Sequence, residues 1–124
     1  MNRMKQLIFS LGMICLALTG CSASYNHEEI TNTSTGDLTS TVSLQEITMP
    51  VGAIAVANVI PYNSDHNPMV GVVTSDNPNV LLVEGAQNNK WAFSGVSAGT
   101  STVKFIADGA VVATVTANVT VQGN

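Results

Sequence analysis

The sequence predicts an all-β protein whose folded part is an antiparallel β-sandwich of about seven strands. From Val42 onward the chain is rich in Val, Thr, Ile and Ala, and Gly, Pro, Asn and Asp interrupt it every 8 to 15 residues. Apolar residues alternate with polar ones and do not recur at helical spacing. Several short, evenly spaced strands without a helical period are typical of a sandwich.

The clearest strand is predicted at 111–121, where alternation sorts the side chains into two faces. The apolar face consists of Val111, Ala113, Val115, Ala117, Val119 and Val121. Asp108-Gly109 comes just before it and is a dipeptide preferred in two-residue hairpins, because both positions need a positive φ. We therefore expect 101–107 to be its antiparallel partner.

Five further strands are predicted from the same alternation and from the turn residues between them. They cover 44–49, 53–60, 70–74, 79–84 and 89–96, with Trp91 and Phe93 pointing inward in the last. Pro50 and Pro61 are expected to end the first two of these, because proline cannot donate to a sheet ladder.

The folded part also resembles the bacterial Ig-like domains of group 2, found in surface proteins of the intimin and invasin type. The matching segments, in the family's order, are Met49-Pro50-Val51-Gly52, Pro61, Thr74-Ser75-Asp76-Asn77-Pro78-Asn79-Val80 and Phe93-Ser94-Gly95-Val96-Ser97-Ala98-Gly99-Thr100-Ser101-Thr102-Val103. Val73 departs from the pattern, because the family usually has tryptophan there. The resemblance implies an Ig-like sandwich and a role in adhesion or protein binding.

The N-terminus has the features of a secretory signal peptide. Arg3 and Lys5 precede a twelve-residue run, 7–18, that is too short to span about 30 Å of hydrocarbon. The run ends in Leu18-Thr19-Gly20-Cys21, which resembles the lipobox of bacterial lipoproteins. An ordinary secretory signal with a chance cysteine is the alternative.

If the lipobox is used, 1–20 is removed and Cys21 receives the lipid that anchors the chain to a membrane. In a Gram-negative cell, an aspartate after the lipidated cysteine would direct retention. This chain has Ser22 at that position, which resembles the signal that sends lipoproteins to the outer membrane, at its periplasmic face or the cell surface. Residues 21–41, rich in Ser, Thr and Asn, are predicted to be a disordered tether, and 42–124 the Ig-like domain.

Charge excludes nucleic acid as a partner. After Cys21 the chain has two lysines, no arginine and eight carboxylates, a net charge of −6. Phosphate binding needs clustered basic residues.

No motif in the chain predicts catalysis, a metal or a cofactor. Gly95-Val96-Ser97-Ala98-Gly99 matches the nucleophile elbow of hydrolases, but that elbow needs a following helix and a later histidine, and His27 and His66 both precede Ser97. His27 in the tether, and Asp65, His66 and Asp76 in loops, do not form a recognisable metal-ligand set. We therefore predict a protein that is not an enzyme.

A partner surface is predicted where both faces of one strand are apolar. Counting back from Pro61, Ala55, Ala57 and Val59 should face the core, which leaves Ile54, Val56 and Ile60 outward. The stripe either contacts a protein partner or is covered by a neighbouring segment of the chain. The sequence thus favours a lipid-anchored module for protein binding or adhesion, with a structural component of a larger envelope complex as the alternative.

Overall fold

The computed structural model describes residues 24–34 and 40–121, which form two packed β-sheets. Nine strands lie in these ranges: β1 (Tyr25–Ser34), β2 (Thr41–Val42), β3 (Ile47–Pro50), β4 (Ile54–Asn63), β5 (Gly71–Ser75), β6 (Leu81–Gly85), β7 (Lys90–Gly95), β8 (Gly99–Ala107) and β9 (Ala110–Thr120). The first sheet has the order β1-β4-β7-β6 and the second β2-β3-β9-β8-β5. The predicted β-sandwich is confirmed.

The pairing is antiparallel throughout, except that β3 runs parallel to β9. Alternate residues of both sheets meet in one apolar core. Its largest fully buried side chains include Phe93, Phe105, Ile47 and Leu81.

The prediction of a disordered tether over 21–41 is wrong for 25–34. These residues form β1, which pairs with β4 along the edge of the first sheet. The segment has few apolar side chains, but an edge strand gains main-chain hydrogen bonds from its neighbour and needs only one apolar face. Ile30 and the buried Glu28 supply that inward face.

The hairpin predicted at Asp108-Gly109 is confirmed, with φ of 55° and 75° at the two residues. The predicted inward face of the following strand is correct for Val115, Ala117 and Val119 but wrong for Val111 and Val121, which are 52% and 74% exposed. The register shifts between Phe105 and Ile106, so that one extra residue of β9 bulges out and reverses the facing of Val111.

Most other boundaries shift by one or two residues, and two larger differences have a visible cause. β3 begins at Ile47 because the preceding residues form a turn in which the Ser43 hydroxyl accepts hydrogen bonds from the amides of Gln45 and Glu46. β4 continues past Pro61 because β7 pairs with it only as far as Asn58. Beyond that point β4 still pairs with β1, and its other side has only separate bonds such as that from the Met69 amide to the Pro61 carbonyl, so a missing N–H there interrupts no strand ladder.

Candidate interaction surfaces

The outward face of β4 is the predicted site, and the predicted facing of its side chains is confirmed. Ala55, Ala57 and Val59 are almost fully buried. The alternate residues point away from the core: Ile54 is 56% exposed, and Val56 and Ile60 are half-buried.

Cross-strand pairing shows which side chains share that outer face. Val56 lies opposite Ala92 of β7, and Ser94 lies between Ile54 and Leu82 of β6. Directly opposite residues of an antiparallel pair project to the same face. An outer apolar patch therefore extends sideways over three strands and consists of Ile54, Val56, Leu82 and Ala92.

Ile60 does not belong to this patch. Asn58 lies between it and Val56 along β4, and Glu29 of β1 lies directly opposite it. The predicted stripe is therefore interrupted along the length of β4. The sequence does not predict this interruption in full, because it does not show which polar residues the neighbouring strands place on that face.

Two charged residues lie at one end of the outer apolar patch. Glu84 of β6 pairs with Ala92, and Lys90 of β7 pairs with Asn58, and both charged side chains are exposed. An apolar centre with a polar, solvated rim is the usual anatomy of a protein interface.

A cluster of three rings lies at the opposite end of the same face, which sequence reasoning missed. The ring centroids of His27 and His66 lie 5.1 and 4.8 Å from that of Tyr62 and 5.4 Å from each other, with nearly parallel planes. His27 also contacts the carboxylate of Glu29, with 3.1 Å from Nε2 to Oε2. The pairing of β1 with β4 brings His27 to Tyr62, so His27 is not in a solvated tether as predicted.

The ring cluster contains two histidines, but within the described ranges no three His, Cys, Asp or Glu side chains are grouped so as to hold a metal ion. Asp76, another of the loop residues weighed as ligands, has a carboxylate oxygen 3.4 Å from the Lys104 ammonium on the second sheet.

Glu28 is the one buried carboxyl of the described residues, at 8% exposure. It accepts a hydrogen bond from the Tyr25 hydroxyl, but its Oε1 has no partner among the described residues. Burial raises the pKa of Glu28 above its ordinary value, and the hydrogen bond from Tyr25 opposes that shift in part. Partial burial of the Tyr25 side chain, followed by the charge of Glu28, raises the pKa of Tyr25.

The elbow-like motif around Ser97 connects β7 to β8, so it lacks the strand–turn–helix geometry of the hydrolase nucleophile elbow. The Ser97 hydroxyl donates to the carbonyl of Asn79 at 2.6 Å. Gly95 does not adopt a positive φ. It is small because a Cβ there would lie 2.5 Å from the Pro50 carbonyl oxygen.

The predicted lipidation site, Cys21, lies outside the described residues, as do the predicted signal peptide and Ser22. In the part of the chain that the structure describes, no helix has the length and apolar character needed to cross a membrane.

Comparison with known proteins identifies the fold and goes no further. No protein-family model matches the sequence, and no curated protein matches it significantly. Among solved structures, domains 4 and 5 of the S-layer protein SbsC superpose with a TM-score of 0.52 at 17% identity. The match covers 74% of this chain and 54% of that one, so this chain spans about half of the solved fragment.

Proposed function

We propose that this protein is a lipid-anchored Ig-like module of the bacterial cell envelope that binds another protein through the outer apolar patch. The observation that carries the proposal is the patch itself. Ile54, Leu82 and Ala92 present apolar surface on a sheet face with Glu84 and Lys90 at one end, and Ile54 is more than half exposed. Contiguous exposed apolar surface with a polar rim typically marks an interaction site.

The charge of the chain supports a protein as the occupant. With two lysines against eight carboxylates after Cys21, the module has no basic cluster for phosphate groups of nucleic acid or anionic lipid. A protein surface can cover the apolar centre and pair with both Glu84 and Lys90 at the rim.

The envelope location rests on the lipobox-like Leu18-Thr19-Gly20-Cys21 and on the likeness of the fold to domains of an S-layer protein. Replacing Cys21 with Ser tests the anchor. We expect the wild type to incorporate a labelled fatty acid and to sediment with membranes, and the variant to do neither. Fatty-acid label on the variant would contradict the proposed anchor.

Replacing Ile54 with Lys tests the patch. An exposed substitution should change the free energy of unfolding by no more than about 0.5 kcal/mol. A charge at the centre of an interface should weaken the free energy of binding by several kcal/mol. On native gels of envelopes solubilised in mild detergent, the wild type should migrate in a complex and the Ile54→Lys variant as the free protein. Thr116→Lys, on the exposed face of the other sheet, is the matched control and should keep the complex.

The alternative role, a structural component within a larger envelope assembly, predicts a different result in the same experiment. The complex would then persist in Ile54→Lys, because many contacts spread over the module would hold it. A complex unchanged by Ile54→Lys would therefore reject the patch as the binding surface.

A further inference from the structure

A cavity of about 390 Å³ lies where the β6–β7 turn faces the start of β5. This volume falls within the range of roughly 300–1,000 Å³ that is usual for small-molecule sites. Its lining residues come from both sheets of the sandwich: Val70, Gly71, Ala86, Asn88, Asn89 and Trp91. The cavity is separate from the outer apolar patch, whose residues it does not include.

Trp91 is the aromatic residue of the cavity and the single tryptophan of the chain. Its ring packs against Gly85 so closely that a Cβ on that glycine would lie 2.8 Å from Cζ3. The ring is therefore held from one side by backbone. Val70, 84% exposed, adds a second apolar surface at the cavity.

Trp91 is half-buried, and part of its side chain packs against the hydrophobic core, as the sequence predicts. The Trp91 Nε1–H is enclosed and has no hydrogen-bond partner among the described residues. A buried donor without an acceptor lowers stability, and phenylalanine would supply an aromatic ring without that donor.

Asn89 fixes the walls of the cavity to one another. Its backbone carbonyl accepts from the Val59 amide at 2.8 Å, and its side-chain Nδ2 donates to the Met69 carbonyl at 3.2 Å. These bonds join β4, the β6–β7 turn and the chain that leads into β5. The cavity is thus preformed, which lowers the ordering cost of binding a ligand.

Asn88 supplies an unused polar group. Its φ is 64° and that of Asn89 is 60°, two consecutive left-handed residues that bring both side chains to the cavity. The Asn88 amide makes no hydrogen bond to any described residue, so its two donors and its acceptor remain available for a ligand.

From the aromatic ring, the free amide and the uncharged lining, the geometry points to a binding site for one neutral sugar residue. The apolar C–H face of a pyranose packs on the Trp91 ring, and its hydroxyls exchange hydrogen bonds with Asn88. A cationic ligand could also contact an indole, but no carboxylate lines the cavity, and Lys90 lies between Asn89 and Trp91 in the chain.

Because Trp91 is the single tryptophan, its fluorescence reports on the cavity directly. The full mature lipoprotein, in a detergent without a sugar headgroup, is titrated separately with methyl β-glucoside, methyl β-galactoside, N-acetylglucosamine and choline. We expect a saturable change in Trp91 emission, in the millimolar range, with at least one of the three sugars and none with choline.

Two variants locate the response. Asn88→Gly tolerates the positive φ and removes the amide, so the affinity for the responding sugar should fall by about tenfold, the equivalent of 1.4 kcal/mol. Val70→Asp alters a side chain that is already exposed and should weaken the same response, while Asn118→Ala on the second sheet should leave it intact. Thermal melts of each variant verify folding.

Absence of a saturable signal with all three sugars would overturn the proposal. A sugar response that Asn88→Gly and Val70→Asp leave unchanged would place the binding elsewhere and would also overturn it, and a response to choline alone would replace the sugar with a cation. None of these outcomes bears on complex formation through the outer apolar patch, which is measured separately.

Discussion

Replacing Glu28 with Gln should stabilise the domain at neutral pH. The Glu28 side chain is 8% exposed, and one of its carboxylate oxygens has no partner among the described residues. Leaving a buried polar group unsatisfied costs about 1–3 kcal/mol. Glu28 lies on an edge strand, where solvent screens part of its charge, so we expect Glu28→Gln to raise the free energy of unfolding by the low end of this range, about 1 kcal/mol.

The pH dependence follows from the raised pKa of Glu28. Because the folded state binds this proton more tightly than the unfolded state, wild-type stability falls as pH rises from the ordinary glutamate range through the raised pKa. Glu28→Gln has no such titration. The two proteins should be equally stable near about pH 4 and diverge toward neutrality in favour of the variant.

Denaturant unfolding at a series of pH values, followed by circular dichroism, measures this difference. A change of about 1 kcal/mol shifts the melting temperature by roughly 4–8 °C in a domain of this size. Glu29→Gln is the matched control: its carboxylate is exposed and pairs at the surface with His27, so it should change stability by no more than about 0.5 kcal/mol. A wild type more stable than Glu28→Gln at neutral pH would refute the reasoning, because it would mean that the buried carboxylate is paired.

Three further substitutions test the packing. Gly95→Ala should destabilise the domain by about 2 kcal/mol or more, because its Cβ would meet the Pro50 carbonyl oxygen; a near-neutral melt would contradict the close approach. Ala57→Leu should cost about 1–3 kcal/mol, since Ala57 is fully buried, and an unchanged melt would mean that β4 faces the other way. Ser97→Ala loses an exposed hydrogen bond to Asn79 worth about 0.5–1 kcal/mol; an esterase signal lost in this variant alone would overturn the prediction that the protein is not an enzyme.

The sequence predicts the facing of a strand well where small residues alternate on a crowded core face. Ala55, Ala57 and Val59 are correctly assigned because the inner face of β4 is apolar without a break. The hairpin at Asp108-Gly109 can be predicted from the sequence equally well, since both residues tolerate a positive φ.

β1 could not be predicted because its stability comes from β4 and not from its own composition. Its inward face places Glu28 beside Ile30, which obscures the alternation that normally reveals a strand. The bulge near Ile106 is similarly hidden, because an extra residue reverses the facing of Val111 without changing the residue pattern.

The outer apolar patch and the cavity at Trp91 depend on cross-strand neighbours that are distant in the chain. The sequence predicts that Ile54 points outward, but it does not predict that Leu82 of β6 and Ala92 of β7 lie beside it. Pairing registers between non-consecutive strands determine such surfaces, and one sequence does not specify them.

Site-specific photocrosslinking in living cells tests the central proposal most directly. A photoreactive phenylalanine analogue placed at Ile54 should yield one discrete adduct with a protein partner, because that side chain lies in the outer apolar patch. The same analogue at Thr116, exposed on the second sheet, should yield none. Adducts from Thr116 but not from Ile54, or identical adducts from both positions, would contradict the proposal that the patch is the binding surface.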